Sequence, residues 1–514
     1  MRSIVLAFLF AALAIESATG REASLRIDQG PLLGAIEDGV EVYKDIPYAA
    51  APVGLLRWRA PQPAPAWTRP RDANDFGPIC PQNQRLGFFT PRLMQSEDCL
   101  TLNVWTPKAE AVAKLPVMVW IHGGGFIEGG SAIPLYDGTD LAKHGVVVVS
   151  FNYRLGELGF FAHPAVLGGK PGEESGNFGL LDQIAALEWV KRNIASFGGD
   201  PANVTIFGES AGGMSVNDLM ASPLARGLFA KAISESGLGL QAIPTRGEAE
   251  QAGLKFAHKL GVAGEDARTA GMLRRLKVSD ILGKQGGMGG EGRIAPYIDG
   301  KTVPSDVSLL FAKGAVALVP YIDGSNSNEA SLAPALGMDP VEGLKLFGPS
   351  LPKVRSIYEA DGPLSEDEFA RQAFGDALFT AAAQTLAGFV DRAGAPARVY
   401  QFAYVADSYR GEVPGVSHGG ELIYVFGLRG LGGLADRASA KDRAMIAAVQ
   451  SYWTNFAKTG DPNGAGLPPW PRYSPDRQET LVFDDETKAI VDFRKAQVGV
   501  MKAGWMKRVG YAGP

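Results

Sequence analysis

The chain has 514 residues, of which 46% are hydrophobic and 20% are charged, so it can build a large hydrophobic core. Its 50 basic and 55 acidic residues give a formal net charge of −5, with no basic run. This balance argues against a nucleic-acid-binding function.

The first 20 residues have the composition of a secretory signal peptide. Arg2 supplies a positive start, residues 4–15 are apolar throughout, and residues 18–20 are small. We therefore expect cleavage near Gly20 and a mature chain that is secreted or periplasmic. An N-terminal membrane anchor is the alternative, but the apolar run is short for a span, and we expect no membrane span in the mature chain.

Strands and helices alternate along the rest of the chain, after a small antiparallel start at residues 25–43. This alternation predicts an α/β fold with a large, mostly parallel mixed sheet and helices on both faces. Residues 244–395 are helix-rich and predict a lid or subdomain insertion, but we treat residues 21–514 as one domain. The predicted strands are residues 100–105, 115–122, 146–152, 204–207 and 397–404, and the predicted helices are residues 182–196, 213–220 and 440–458.

Cys80 and Cys99 are the only cysteines in the sequence. In an exported protein, an even pair close in sequence suggests one disulfide. Two buried free thiols are the alternative.

Ser210 lies in a glycine-flanked turn, Gly-Glu-Ser-Ala-Gly, between a predicted strand and a predicted helix. A serine at the apex of a strand–turn–helix is the nucleophile elbow of the α/β-hydrolase fold. The same short pattern recurs around Ser417, but a loop-forming segment precedes that serine. The context therefore favours Ser210 as the nucleophile.

A second glycine-rich segment, His-Gly-Gly-Gly-Phe at residues 122–126, follows another predicted strand. Loops of this type supply main-chain N–H groups to an oxyanion hole. We assign that role to Gly124 and Gly125, together with the N–H group of Ala211 directly after the nucleophile. An ordinary glycine turn is the alternative.

The general base is sought among five histidines. In this fold the triad follows the order nucleophile, acid, histidine, which excludes the three histidines before Ser210. Of the remaining two, His258 lies in a predicted helix, whereas His418 lies in a glycine-flanked loop and leaves ample chain for an acid. His418 is therefore the predicted base.

Several acidic residues lie between Ser210 and His418. Glu329 follows a strand-like run and lies in a loop, which is where this fold places its acid. Asp323 competes with Glu329, and the residues by themselves leave this choice open.

Longer segments of the chain resemble the type-B carboxylesterase family, which includes the cholinesterases. The resemblance covers nearly the whole mature chain. The similar segments are residues 97–104 (EDCLTLNV), 152–154 (NYR), 176–183 (GNFGLLDQ), 197–212 (the active-serine region) and 415–422 (GVSHGGEL).

This resemblance implies Ser210 as the nucleophile, Glu329 as the acid and His418 as the base. It also implies a Cys80–Cys99 disulfide, and it places Glu209 beside the nucleophile, where its charge shapes the site; a surface carboxylate without a role is the alternative. No metal or organic cofactor is expected.

The disulfide loop departs from the cholinesterase pattern because it lacks the tryptophan that binds a quaternary ammonium group. A neutral alkyl or aromatic ester is therefore the expected substrate. Phe88 and Phe89 in this loop are candidates to line its pocket, although a role as buried core aromatics is equally compatible with the sequence.

The sequence thus predicts an esterase that hydrolyses a small-molecule ester through an acyl-enzyme. An acyltransferase or amidase with the same site, and a non-catalytic binding protein with the same fold, are the alternatives. A specialised xenobiotic or toxin ester is a further hypothesis for the substrate, motivated by the signal peptide and the missing tryptophan.

Overall fold

The computed structural model describes residues 22–83, 93–107, 114–168, 176–287, 294–429 and 431–513. The predicted signal peptide, Phe88 and Phe89 lie outside these ranges. The strands in the described ranges are β1 (Glu22–Arg26), β2 (Pro31–Glu37), β3 (Val40–Pro47), β4 (Arg71–Asp72), β5 (Thr101–Pro107), β6 (Leu115–Ile121), β7 (Val147–Phe151), β8 (Gly199–Glu209), β9 (Lys231–Glu235), β10 (Tyr321–Asn326), β11 (Ala397–Phe402), β12 (Thr480–Phe483) and β13 (Lys488–Ile490).

All of these strands belong to one mixed sheet, in which β4 pairs with β2 and the others follow the order β1-β2-β3-β5-β7-β6-β8-β9-β10-β11-β12-β13. Neighbouring strands from β7 to β12 in this order are parallel, and those at both ends are antiparallel. The carboxyl ends of the parallel strands therefore meet along one edge of the sheet, which is where such folds bind ligands.

Helices pack on both faces of the sheet. The α-helices are α1 (Thr139–Ala142), α2 (Gly156–Phe160), α3 (Pro164–Leu167), α4 (Phe178–Asn193), α5 (Ala211–Ala221), α6 (Arg246–Lys259), α7 (Ala267–Arg274), α8 (Val278–Lys284), α9 (Val307–Ala312), α10 (Pro340–Gly343), α11 (Leu351–Tyr358), α12 (Glu366–Gly375), α13 (Ala381–Arg392), α14 (Leu422–Phe426), α15 (Gly433–Arg437), α16 (Ala440–Thr459) and α17 (Lys495–Val509). Short 3₁₀-helices include Pro134–Tyr136 and Glu329–Leu332, and a π-helical turn, Asp376–Thr380, joins α12 to α13.

The central strands are apolar on both faces because both faces are covered. Along β6, Val117 and Val119 pack in one hydrophobic cluster, whereas Met118 and Trp120 pack in another on the opposite face. This follows from the two-residue period of a strand, which directs successive side chains to opposite sides. The continuous apolar runs in the sequence are therefore what a sheet buried on both faces requires.

The helix α16 shows how local signals set the bounds of an element. Ser439 caps its first turn in a capping box with Asp442, and Gly460 ends it with a φ of 81°. Its buried face packs Trp453 and Phe456 in the same cluster as Trp120 of β6. The predicted helix at residues 440–458 thus agrees with the structure to within one residue.

The helix-rich region at residues 244–395 is more than a lid or an inserted subdomain. It supplies β10, which lies between β9 and β11 near the middle of the parallel part of the sheet. The strand-like run that the sequence shows before Glu329 is β10, and pairing with distant strands makes this segment part of the core.

One stretch, Glu366–Arg392, is long and apolar enough to cross a membrane by length and composition, with a mean hydropathy of 1.2. However, 83% of its most apolar window is buried inside the protein, as in a core helix. The expectation that the mature chain has no membrane span stays a prediction.

Candidate active site

Ser210 lies at the turn between β8 and α5, at the carboxyl edge of the parallel strands. Its backbone has φ 56° and ψ −120°, a strained conformation for a residue with a side chain. Its N–H group donates a hydrogen bond of 2.8 Å to the carbonyl oxygen of Glu235, which helps to fix the turn.

The two glycines that flank Ser210 are required by close backbone packing. A Cβ atom on Gly208 would lie 2.6 Å from the carbonyl oxygen of Ile121, and one on Gly212 would lie 1.9 Å from the same oxygen. Neither distance is compatible with a side chain, so the turn can pass β6 only with glycine at both positions. The sequence pattern around Ser210 therefore has a steric cause.

The glycine loop after β6 reaches the same edge of the sheet. Gly124 has φ 103° and Gly125 has φ 63°, both in the region that favours glycine. Within the described part of the chain, the N–H groups of Gly124, Gly125 and Ala211 donate no hydrogen bond. These three donors are therefore available to an oxygen atom of a substrate.

His418 and Glu329 are brought together from loops that follow different elements. The Nδ1 atom of His418 lies 2.6 Å from Glu329 Oε2. The other oxygen of Glu329 accepts hydrogen bonds from Ser236 Oγ at 2.6 Å and from the N–H group of Asn326 at 2.7 Å. Glu329 is 1% exposed and is fixed by these three contacts.

Asp323, the rival acid, has other partners. Its carboxyl group accepts hydrogen bonds from the hydroxyl of Tyr321 at 2.6 Å and from the N–H group of Gly324 at 2.9 Å. Burial raises the pKa of Asp323 to about 7, so this group is poorly suited to stabilise a positive charge on an imidazole. The geometry therefore favours Glu329 over Asp323 as the partner of His418.

Ser417, the rival nucleophile, lies in the loop that carries His418. No strand leads directly into this loop, in which Ser417 forms only an isolated β-bridge with Asn328. The Ser417 carbonyl accepts a hydrogen bond of 2.9 Å from Asn326 Nδ2. Of the two serines, only Ser210 lies between a strand and a helix, as the sequence context indicates.

Glu209 lies on the other side of the imidazole. Its Oε1 atom is 3.1 Å from His418 Nε2, and among the described residues this nitrogen has no hydrogen-bond partner of good geometry. Burial lowers the pKa of His418, but Glu209 and Glu329 outweigh this effect and raise the pKa above its ordinary value of 6.5. Burial raises the pKa of Glu209 in turn, and the charge of His418 opposes that rise.

These residues surround a cavity of about 760 Å³. Gly124, Gly125, Ser210 and His418 line it, while apolar side chains line most of the remainder. These apolar side chains include Ile133, Leu135, Tyr136, Val413, Leu422, Ile423, Leu428 and Ile446. The cavity can thus hold a largely apolar ligand next to a serine and a set of N–H donors.

Cys80 and Cys99 form a disulfide with a Cα–Cα distance of 5.1 Å. Both residues are buried in the hydrophobic core. The expected pairing is therefore present, and the alternative of two free thiols is wrong. In the described part of the chain, no group of three histidine, cysteine or carboxylate side chains is placed to hold a metal ion.

Three polar residues at the site carry no role in the sequence-based predictions, namely Ser236, Asn326 and Glu421. Asn326 lies close to Glu329 in the sequence, and Glu421 lies close to His418. This closeness was the signal that could have pointed to a role for them. Ser236 follows β9 with a φ of 50° and offers no such signal. It reaches Glu329 only because β9 and β10 are neighbours in the sheet.

Comparison with known proteins agrees with this architecture. A model of the carboxylesterase family matches residues 21–501. The para-nitrobenzyl esterase of Bacillus subtilis is 39% identical over 484 residues, an alignment that covers 89% of this chain and 94% of that protein. The fumonisin B1 esterase of Sphingopyxis macrogoltabida is 36% identical over 503 residues, with 94% and 91% covered.

Solved structures show the same similarity. A PNB esterase has a TM-score of 0.80 and 34% identity, and the match covers 92% of this chain and 99% of that chain. A carboxylesterase of Geobacillus stearothermophilus has a TM-score of 0.80 and 33% identity, with 94% and 99% covered. These matches confirm the predicted α/β-hydrolase fold.

Proposed function

Because the chain belongs to the carboxylesterase family and is a carboxylic ester hydrolase, we propose that it works through a Ser210–His418–Glu329 triad and an acyl-enzyme. The observation that carries this proposal is the contact of 2.6 Å between His418 and the buried Glu329, at the wall of the cavity that Ser210 also lines. This arrangement supplies a nucleophile, a base and an orienting acid in one place.

In the first step, His418 Nε2 accepts the proton of Ser210 Oγ while that oxygen attacks the ester carbonyl carbon. Glu329 holds the Nδ1–H tautomer of the imidazole and stabilises its positive form. The N–H groups of Gly124, Gly125 and Ala211 bind the oxyanion, where one donor contributes roughly a hundredfold or more to the rate. His418 then protonates the leaving alcohol, and the acyl-enzyme remains.

In the second step, His418 removes a proton from a water molecule, which attacks the acyl carbon. A second oxyanion forms at the same donors and collapses to release the carboxylic acid and restore Ser210. Each proton that His418 accepts is returned within the same half-reaction, so the cycle needs no external acid or base.

The cavity supports a neutral, largely apolar ester as substrate. Apart from the catalytic groups, its walls are mainly aliphatic and aromatic. The disulfide loop sequence contains no tryptophan to hold a choline group. The similarity to a para-nitrobenzyl esterase and to a fumonisin B1 esterase favours a bulky xenobiotic or toxin ester among such substrates. Activity restricted to short simple esters across a broad panel would contradict this last point.

We expect the apolar walls of the cavity to limit the size of the acyl or alcohol group. Ile446 on α16 lines the cavity, so Ile446→Trp should reduce its volume. For p-nitrophenyl octanoate we expect kcat/KM to fall by about 10- to 200-fold, whereas the acetate should be hydrolysed at nearly the wild-type rate. The neighbouring Ala447 is exposed and does not line the cavity, so Ala447→Trp is the matched control. Equal losses for both esters would argue against this placement of the substrate.

We also expect a defined pH dependence. Only the neutral imidazole can accept the proton of Ser210, so kcat/KM should fall as the pH drops through the pKa of His418. Glu209 is one of the two carboxylates that raise this pKa, and Glu209→Gln should therefore move the acidic limb to lower pH. A pH–rate profile beside the exposed control Glu486→Gln measures the shift, and an unmoved limb would show that Glu209 does not act on His418.

The proposal is tested by locating the acyl group. Rapid mixing with a p-nitrophenyl ester at low pH, followed by proteolysis and mass spectrometry, should find the acyl group on the peptide that contains Ser210. An acyl group on Ser417 or elsewhere would overturn the proposed nucleophile. Analysis of products with an added alcohol then separates a hydrolase, which forms mainly acid, from an acyltransferase, which forms mainly a new ester.

Export of the mature chain is part of the same proposal. The disulfide fits an oxidising compartment, and the family match begins at residue 21, where the predicted signal peptide ends. N-terminal sequencing of the protein from its native host should start near residue 21, and an intact N-terminus would contradict cleavage.

A further inference from the structure

Asn326 ends β10 between the segment that carries Glu329 and the loop that carries His418. It is 2% exposed. Its main-chain N–H group donates a hydrogen bond of 2.7 Å to Glu329 Oε1, and its side-chain Nδ2 donates one of 2.9 Å to the carbonyl oxygen of Ser417. One residue is thus bonded both to the proposed acid and to the chain directly before the proposed base.

The side-chain Nδ2 of Asn326 also donates a second hydrogen bond, to Glu421 Oε2. An amide nitrogen has two hydrogens, so these two acceptors use both. Rotation of the amide by 180° would place Oδ1 against a carbonyl oxygen and a carboxyl group, so the observed orientation is the favourable one. Glu421 is 1% exposed, so this contact to Asn326 is buried as well.

The loop with His418 depends on such contacts because it has little regular structure of its own. It is attached to the segment after β10 at several points. The N–H group of Val416 donates to Ser327 Oγ at 2.9 Å, and that of His418 donates to Ser331 Oγ at 2.8 Å. The main-chain N–H group of Asn328 donates to the Val416 carbonyl at 2.9 Å. Of the side chains in this group, that of Asn326 is the most deeply anchored in the sheet.

We propose that Asn326 is a positioning residue that sets the distance between the acid and the base loops, so that His418 stays aligned with both Glu329 and Ser210. The inference rests on the proposed triad. Loss of the amide removes the Asn326 donor from the Glu421 carboxyl, leaves the Ser417 carbonyl with only the N–H group of Gly420 as donor, and lets the loop move relative to Glu329. A misplacement of about 1 Å at a reacting group can cost roughly a hundredfold in rate.

The test compares Asn326→Ala with Asn328→Ala on p-nitrophenyl butyrate. Asn328 is buried nearby, but within the described chain its side chain makes no hydrogen bond, and its loop contact runs through the main chain. We expect kcat of Asn326→Ala to fall by about 10- to 100-fold with KM nearly unchanged, and Asn328→Ala to retain its kcat. Equal kcat values for the two variants, or a loss confined to KM, would overturn the proposal.

A second pair of variants keeps the test valid if Asn326→Ala does not fold. Asn326→Asp places a carboxyl group against the Ser417 carbonyl and Glu421, so kcat should fall further than in Asn326→Ala. Adding Glu421→Gln to Asn326→Asp supplies a donor to the introduced carboxyl group and should recover part of kcat without restoring the contact to Ser417. A double variant as slow as Asn326→Asp, with a wild-type melting temperature, would show that the contact to Glu421 does not position the loop.

The outcomes also separate this inference from the proposed function. If Ser210 carries the acyl group but Asn326→Ala is as fast as the wild type, only the positioning role fails. If the acyl group lies on another residue, the triad itself fails, whatever the Asn326 variants do.

Discussion

Ser210→Ala is expected to lower kcat for p-nitrophenyl ester hydrolysis by roughly 10⁶-fold. Alanine removes the attacking oxygen, and no covalent acyl-enzyme can then form. The oxyanion donors and the cavity remain, so a small activity above the uncatalysed rate should persist. The measurement is single-turnover release of p-nitrophenol by wild type and variant at matched concentrations.

The matched control for this variant is Ser417→Ala, at the second serine with the same short motif. Its main-chain carbonyl, rather than its hydroxyl, bonds Asn326, so this variant should keep most of its activity. Both variants should give the wild-type circular dichroism spectrum. Equal rates for Ser210→Ala and wild type would remove Ser210 as nucleophile and revive the binding-protein alternative.

Glu329→Gln is expected to give the second-largest loss, about 10⁴-fold in kcat. The amide cannot stabilise the positive imidazole, and its NH₂ group can face Nδ1 and favour the wrong tautomer of His418. Its other oxygen position is still held by Ser236 and Asn326, so the fold should be preserved. Steady-state kinetics with a thermal melt measures both effects.

Asp323→Asn is the control for Glu329→Gln because Asp323 is the other candidate acid. Its carboxyl group is bonded to Tyr321 and Gly324 and has a pKa raised by burial, so removal of its charge should change kcat little. If Asp323→Asn caused the larger loss of kcat, the assignment of the acid would be reversed.

Several features could be predicted from the sequence because their causes are local. The turn at Ser210 needs glycine on both sides for steric reasons that any chain with this strand–turn–helix would share. The bounds of α16 follow from a capping serine and a terminal glycine close by in the sequence. The apolar strands could be recognised because a strand buried on both faces is a continuous apolar run, without alternating polar residues.

The proposed acid and the residues that hold it depend on pairing between distant segments. The residues alone left Glu329 and Asp323 as rivals, and the choice depends on which carboxylate faces His418, 89 residues further along the chain from Glu329. Ser236, Asn326 and Glu421 likewise reach the site only because β9, β10 and the His418 loop are neighbours. No local pattern encodes such contacts.

Local sequence patterns are therefore enough to find the turn with the proposed nucleophile, the glycine loop, the family and the main elements of the sheet. Long-range packing is needed to establish that β10 is a central strand, that Glu329 faces His418, and that Glu209 lies against its other nitrogen. The physical reason is that backbone sterics and hydrophobic periodicity act over a few residues. Hydrogen bonds and charge interactions at the site instead join residues that only the folded sheet brings within about 3 Å of each other.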